Sequence, residues 1–171
     1  MLFRSADRFG GGSTYRQRVL LHHNRGNGIF AEIGAGDPTL ASPGTARGLA
    51  VGDVDGDGRL DVLINRQDAP PRLLMNRHPG GRWLRIALRG ARSNRDGVGA
   101  VVTVKAEGRQ LAAVRLAGDS YLSSSDSHLH FGLGSAAKAD SITVKWPSGL
   151  EQTLSTVPSD RVLAIDEPAR P

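Results

Sequence analysis

Four aspartates fall within nine residues, Asp53, Asp55, Asp57 and Asp61, in the order D-x-D-x-D-G-x-x-D. Carboxylates this close repel one another unless a cation intervenes. Hard oxygen ligands at alternate positions suit Ca²⁺, which takes about six to eight oxygens in a forgiving geometry. They suit Mg²⁺ less, because it demands a stricter octahedron and retains waters. A loop curling around such an ion would use the side chains of Asp53, Asp55 and Asp57, the backbone carbonyl of Arg59 and the carboxylate of Asp61. Gly58 falls where the chain must turn sharply, and Gly56 adds freedom. Where an EF-hand would end in a bidentate Glu this chain has Ile64, and strand-like sequence flanks the loop on both sides. Those two features argue against a helix-loop-helix calcium site.

Other candidate chemistry is thinner. His128 and His130 are spaced i, i+2 on a predicted strand, share a face, and could start a transition-metal site, but no third ligand stands at a suggestive spacing. Packing or capping is the better reading. His22 and His23 face opposite ways, and His78 lies in a turn. Gly118-Asp119-Ser120 echoes a hydrolase motif, with Ser123 to Ser125 near Asp126 and His128, yet the G-x-S-x-G elbow is absent, so a polar turn is expected. Gly132-Leu133-Gly134 followed by Lys138 lacks the order of a phosphate loop. The chain has no cysteine, which removes disulfides, thiolate zinc sites and thiol nucleophiles together. These patterns favour binding over catalysis. A metal-dependent enzyme centred on His128 and His130 is the first rival reading.

The formal charge is +5, and the excess lies before Asp96. Arg82, Arg85, Arg89, Arg92 and Arg95 crowd around Trp83, a stripe that could meet phosphates. Aromatic interleaving stops at Trp83 and no recognition-helix pattern follows. Nucleic acid is therefore disfavoured, and a solvated or interdomain arginine face is expected. A polyanion-binding module on the Arg82–Arg95 face is the second rival. No apolar run approaches the ~20 residues needed to span a bilayer, so membrane insertion is not expected. The first residues have no apolar stretch of the length a signal peptide uses, which points to a chain that stays inside or that lacks its true beginning.

The elements that must position these residues read as short strands joined by tight turns. With 22 glycines and 9 prolines among 171 residues, and 39% apolar content, a helical bundle is excluded and a packed all-β chain is expected. Residues 1–17, with Gly10 to Gly12, predict a flexible lead-in. RVLLHHNRGNGIFAEI predicts a hairpin turning at Asn27-Gly28, and Leu49 to Val51 and Val62 to Ile64 predict strands flanking the aspartate loop. RLLMNRHPGG from Arg72 repeats RVLLHHNRGNG from Arg18, a period near 50 residues like that of a propeller blade. A closed propeller needs about four to eight blades, so a segment of something longer is expected. From Trp83 the pattern becomes continuous β, with a small antiparallel sandwich or barrel as the expected fold. Phe131, Trp83 and Trp146 are expected in the core, and Ala136 to Ala139 is the only helical turn allowed.

GLAVGDVDGDGRLDVLIN resembles the calcium loop of FG-GAP/VCBS-type β-propeller repeats. SNRDGVGAVVTV at Ser93 to Val104, GDSYLSSSDSHLHFGLG at Gly118 to Gly134 and ITVKWPSGLEQT at Ile142 to Thr153 resemble the ASPIC/UnbV domain. The resemblance divides the chain into a lead-in (1–17), an FG-GAP/VCBS-type repeat region with a calcium loop (18–81), an ASPIC/UnbV β domain (82–167) and a tail (168–171). It implies a partial β-propeller-type region followed by the sandwich, in a C-terminal fragment of an extracellular, periplasmic or surface protein. It further implies Ca²⁺ held by Asp53, Asp55, Asp57, Arg59 and Asp61, and a non-catalytic binding, adhesion or scaffolding role. The expected partners are the remaining propeller blades and a protein or carbohydrate ligand.

Overall fold

A computed structural model of the chain describes residues 15–67 and 69–169. Most of the expected lead-in and the end of the tail lie outside them. The chain opens with a hairpin of β1 (Leu21–Asn24) and β2 (Phe30–Ile33), paired antiparallel with Asn24 opposite Phe30. Its turn forms where expected, because Gly26, Asn27 and Gly28 all take positive φ, a region open to glycine and tolerated by asparagine. A single helical turn, α1 (Pro38–Ala41), follows. Asp37 caps it, its Oδ1 accepting from the N–H groups of Thr39 (2.7 Å) and Leu40 (3.2 Å), with proline at the start of the helix.

Strands β3 (Ala46–Gly52), β4 (Asp61–Arg66) and β5 (Arg72–Leu74) form a three-stranded antiparallel sheet in that order. The aspartate loop is the β3–β4 connection. Ile64 is buried on one face of this sheet, while Leu63 and Leu73, paired across β4 and β5, stay exposed on the other.

From β6 (Arg82–Arg89) onward the chain builds two sheets. Strands β7 (Val101–Ala106), β8 (Arg109–Val114), β10 (Lys138–Lys145) and β11 (Glu151–Pro158) pair in the order β11-β10-β7-β8. Strands β6, β9 (Leu129–Gly134) and β12 (Arg161–Asp166) pair in the order β12-β6-β9. Alternate residues of both sheets enter one core: Leu84, Ile86 and Leu88 from β6, Val102 and Val104 from β7, Phe131 and Leu133 from β9, and Ile142 and Val144 from β10. Each such side chain contributes roughly 1.5–3 kcal/mol by leaving water. The sandwich is antiparallel apart from β12, which runs parallel to β6.

Two expectations are corrected. Ala136 and Ala139 are buried in the sandwich, the latter within β10, so tertiary packing overrides the helix propensity of alanine. The one α-helix among the described residues is α1. Trp146 is in the core as expected, its indole N–H donating to Gln152 Oε1 at 3.2 Å. Trp83 instead points out of the β6 sheet, half-buried, and stacks on His130 with ring centroids 6.4 Å apart.

One carboxylate ties the sandwich together. Glu167 is 3% exposed, and its Oε2 accepts from the consecutive N–H groups of Ala91, Arg92 and Ser93 at 2.9, 2.8 and 2.7 Å. Its Oε1 accepts from the hydroxyls of Ser93 (3.0 Å) and Ser148 (2.5 Å). Burial pushes this carboxyl up, but the Ser148 hydroxyl and the three backbone donors outweigh it and bring it to about 2.

Candidate metal centre

The loop from Asp53 to Leu60 doubles back between β3 and β4 on Gly56 (φ 76°) and Gly58 (φ 84°). Asp53 stabilises the turn from inside: its Oδ1 accepts from the Asp57 N–H and its Oδ2 from the Gly58 N–H, both at 3.0 Å. Asp61, at the first position of β4, is buried. Its Oδ2 accepts from the Val54 N–H (2.9 Å) and its Oδ1 from the Asn76 N–H (2.8 Å). These two backbone donors, Asn76 first, hold the Asp61 carboxyl below the usual carboxylate range against the opposing effect of burial.

Asp53, Asp55 and Asp61 thereby bring one carboxylate oxygen each to within 4.8 Å of one another, the only such group of three or more among the described residues. Three hard anionic oxygens on a loop that its own amides hold in place fit a hard divalent cation. Asp57 lies apart from this group, because its carboxylate is ion-paired with the guanidinium of Arg59 and accepts the Arg59 N–H at 2.9 Å. Asp55 faces Arg77 at 3.1 Å.

The sandwich grips the same loop. Arg85 of β6 places Nη1 2.9 Å from Asp53 Oδ2 and Nη2 2.6 Å from Asp126 Oδ2, with the Arg85 side chain 12% and the Asp53 side chain 0% exposed. Asp126 Oδ1 accepts the His128 N–H at 3.1 Å and lies 2.7 Å from His128 Nδ1. Burial raises the Asp126 carboxyl, but His128 and Arg85 together hold it below its ordinary value. His130 Nε2 lies 2.9 Å from the Gly58 carbonyl, and a Cβ on Gly58 would fall inside the indole of Trp83. The loop glycine is therefore needed twice, once for positive φ and once for the ring that lies against it.

The segment before β9 runs along the outer edge of β3. Ser120 Oγ accepts from the Leu49 N–H (3.2 Å), Ser125 Oγ accepts from the Val51 N–H (3.1 Å), and the Asp126 N–H donates to the Val51 carbonyl (2.8 Å). Gly48 and Gly52 let this segment approach, since side chains there would meet Ser123 and Asp126.

The remaining candidates are dispersed. His128 and His130 are occupied by Asp126 and by the Gly58 carbonyl, and among the described residues they belong to no group of three metal-ligating side chains. The arginines do not form one stripe: Arg82 pairs with Asp160 at 2.5 Å, Arg85 is part-buried at the loop, and Arg89 lies 3.9 Å from Asp166. Sequence reasoning placed Arg85 in an interdomain arginine face without linking it to the aspartate loop, and did not single out Asp126 or the two edge-capping serines for this role. The Ser/Asp-rich run was the available signal, and it reads locally as a turn.

An all-β chain with a three-carboxylate loop set against a sandwich defines the class. Residues 6–64 match the FG-GAP-like repeat, and residues 90–171 match the family described as ASPIC and UnbV. The second half of the chain thus matches ASPIC and UnbV, with an FG-GAP-like repeat match ahead of it. It is similar to cartilage acidic protein 1 of Mus musculus and of Homo sapiens, each 31% identical over 144 residues, 80% of this chain. The same protein of Xenopus tropicalis is 33% identical over 128 residues, 71% of this chain. The match covers 22%, 21% and 19% of these relatives, so the chain spans about a fifth of their length. No helix among the described residues is long and apolar enough to cross a membrane.

Proposed function

We propose that this chain is a calcium-holding, non-catalytic binding or scaffolding segment of an exported protein. The observation that carries the reading is the convergence of Asp53, Asp55 and Asp61 inside the stretch matching the FG-GAP-like repeat. Ca²⁺ bound there would neutralise the mutual repulsion of these carboxylates and fix the β3–β4 connection. The Asp57 carboxylate and the Arg59 carbonyl complete the proposed ligand set once Asp57 turns from Arg59. Residues 18–81 then act as a blade-like unit that stacks on further blades of a longer chain, and residues 82–167 act as the β domain that closes against it. The similarity to cartilage acidic protein 1 supports an extracellular, periplasmic or surface setting, with a protein or carbohydrate as the ligand class.

A thermal melt in EDTA, then in about 10 mM Ca²⁺, then in Mg²⁺, tests this on the wild type and Asp55→Ala. Extracellular calcium modules bind on the order of 10⁻⁴–10⁻³ M. At the tight end of that range, saturation adds about 2.7 kcal/mol by linkage, or roughly 5–10 °C in midpoint for a chain of this size. The expected result is a Ca²⁺-specific rise in the wild type that Asp55→Ala abolishes. An unchanged midpoint at 10 mM Ca²⁺ would overturn the calcium reading.

A further inference from the structure

The aspartate loop is in contact with a cation from its own chain. Asp53 has no solvent-exposed side-chain surface, and a buried ionised carboxylate needs a counter-charge wherever no metal supplies one. Arg85 supplies it through Nη1, reaching from β6 across 32 residues of sequence. Its other terminal nitrogen goes to Asp126, and its Nε is buried without a hydrogen-bond partner. A guanidinium placed for shape alone would use its whole fork. This one leaves a donor orphaned to bridge two carboxylates, so charge explains its position better than hydrogen-bond geometry does.

We infer that Arg85 is the internal counter-cation of the aspartate loop and sets its affinity for divalent metal. It holds the Asp53 carboxylate and the loop in place when no metal is bound, and it opposes metal binding by placing a fixed positive charge on one of the ligating carboxylates. Asp126 moderates that charge from the far side. The inference rests on the calcium reading above, and it makes the contact between sandwich and repeat part of the metal site.

A purely structural Arg85 and a counter-cation Arg85 predict opposite signs. If Arg85 only shapes the loop, Arg85→Met weakens Ca²⁺ binding. If it is a competing charge, Arg85→Met lowers the melting midpoint in EDTA and tightens Ca²⁺ binding, by roughly tenfold or more for a unit charge this close. Arg85→Lys keeps the charge and stays near the wild-type affinity. Arg85→Met with Asp126→Asn removes the second carboxylate that Arg85 pairs and leaves Asp53 alone without its guanidinium, serves if the single variant does not fold, and still binds more tightly than the wild type.

Isothermal titration with CaCl₂ reads these affinities, with Trp83 fluorescence as an independent signal because the indole lies against Gly58. Tighter binding in both Met variants with wild-type-like binding in Arg85→Lys supports the inference. So does measurable binding in the Met variants where the wild type shows none. Equal or weaker binding in the folded Met variants, or binding in Arg85→Lys as tight as in Arg85→Met, overturns it while leaving the calcium reading intact. Absence of binding in wild type and all variants overturns both.

Discussion

Glu167 shows how much one side chain can tie together when its oxygens are fully used. Its carboxylate joins the loop after β6, the turn at Ser148 and the chain end through five donors. Its folded value, about 2, lies below the ordinary 4.5. A depressed carboxylate contributes stability that is fully present above its unfolded value and is lost as pH falls through the folded one. The melting midpoint should therefore fall between pH 4.5 and pH 2, and Glu167→Gln should be less stable at neutral pH and flatter across that window. Thermal melts of the two proteins at half-unit pH steps measure the difference, and parallel curves would rule out this role. The convergence of the aspartates was legible at this scale because it is local: Asp53, Asp55 and Asp61 need only the turn that Gly56 and Gly58 permit. The departure of Asp57 toward Arg59 was not legible, because spacing does not say which of two neighbouring charges a carboxylate will choose. Arg85 and Asp126 were hidden for a different reason, being 41 residues apart and joined only by the fold.

At the scale of elements, β3 is a sheet edge that the sandwich protects without adding a strand. Ser120 and Ser125 use side-chain oxygens where a neighbouring strand would use carbonyls, and the Asp126 backbone adds a true ladder bond. Ser125→Ala should leave the Val51 N–H without an acceptor in a half-buried edge and cost about 1–3 kcal/mol. Denaturant melts give the cost, and faster hydrogen exchange at the Val51 amide localises it. Exchange at Val51 unchanged from wild type would mean that water replaces the hydroxyl and the contact is incidental. The strands were readable because their alternation survives in sequence, as in Ile142, Val144 and Trp146 on one face of β10 and its end. The edge cap was not readable, since serine and aspartate in a row signal a turn whatever they later touch. The helical turn assigned to Ala136–Ala139 failed in the opposite way: alanine is small enough to be buried in a sheet, and packing decided.

At the scale of the whole molecule, the core is lopsided. Among the described residues, every buried hydrophobic side chain except Ile64 lies between Leu84 and Ile165. The hairpin leaves Ile29 and Phe30 60% and 61% exposed, and Leu63 and Leu73 form an uncovered pair on the outer face of the β3-β4-β5 sheet. Residues 15–81 therefore draw their order from local pairing, from the aspartate loop and from the contact that Arg85, His130 and the serine segment make, rather than from a core of their own. Regions with few buried apolar contacts open first. Native-state hydrogen exchange should accordingly show a gradient: fastest in β1 and β2, intermediate in β3 and β4, and slowest in the central strands β7 and β10. Added Ca²⁺ should slow β3 and β4 selectively, because the aspartate loop connects those two strands while β7 and β10 belong to a different sheet. Uniform protection from β1 to β12 would mean that the contact between the regions is strong enough to make them one cooperative unit. In that case the exposed leucines and Phe30 would be ordinary surface. The gradient, if found, agrees with the proposal that further blades stack on these faces.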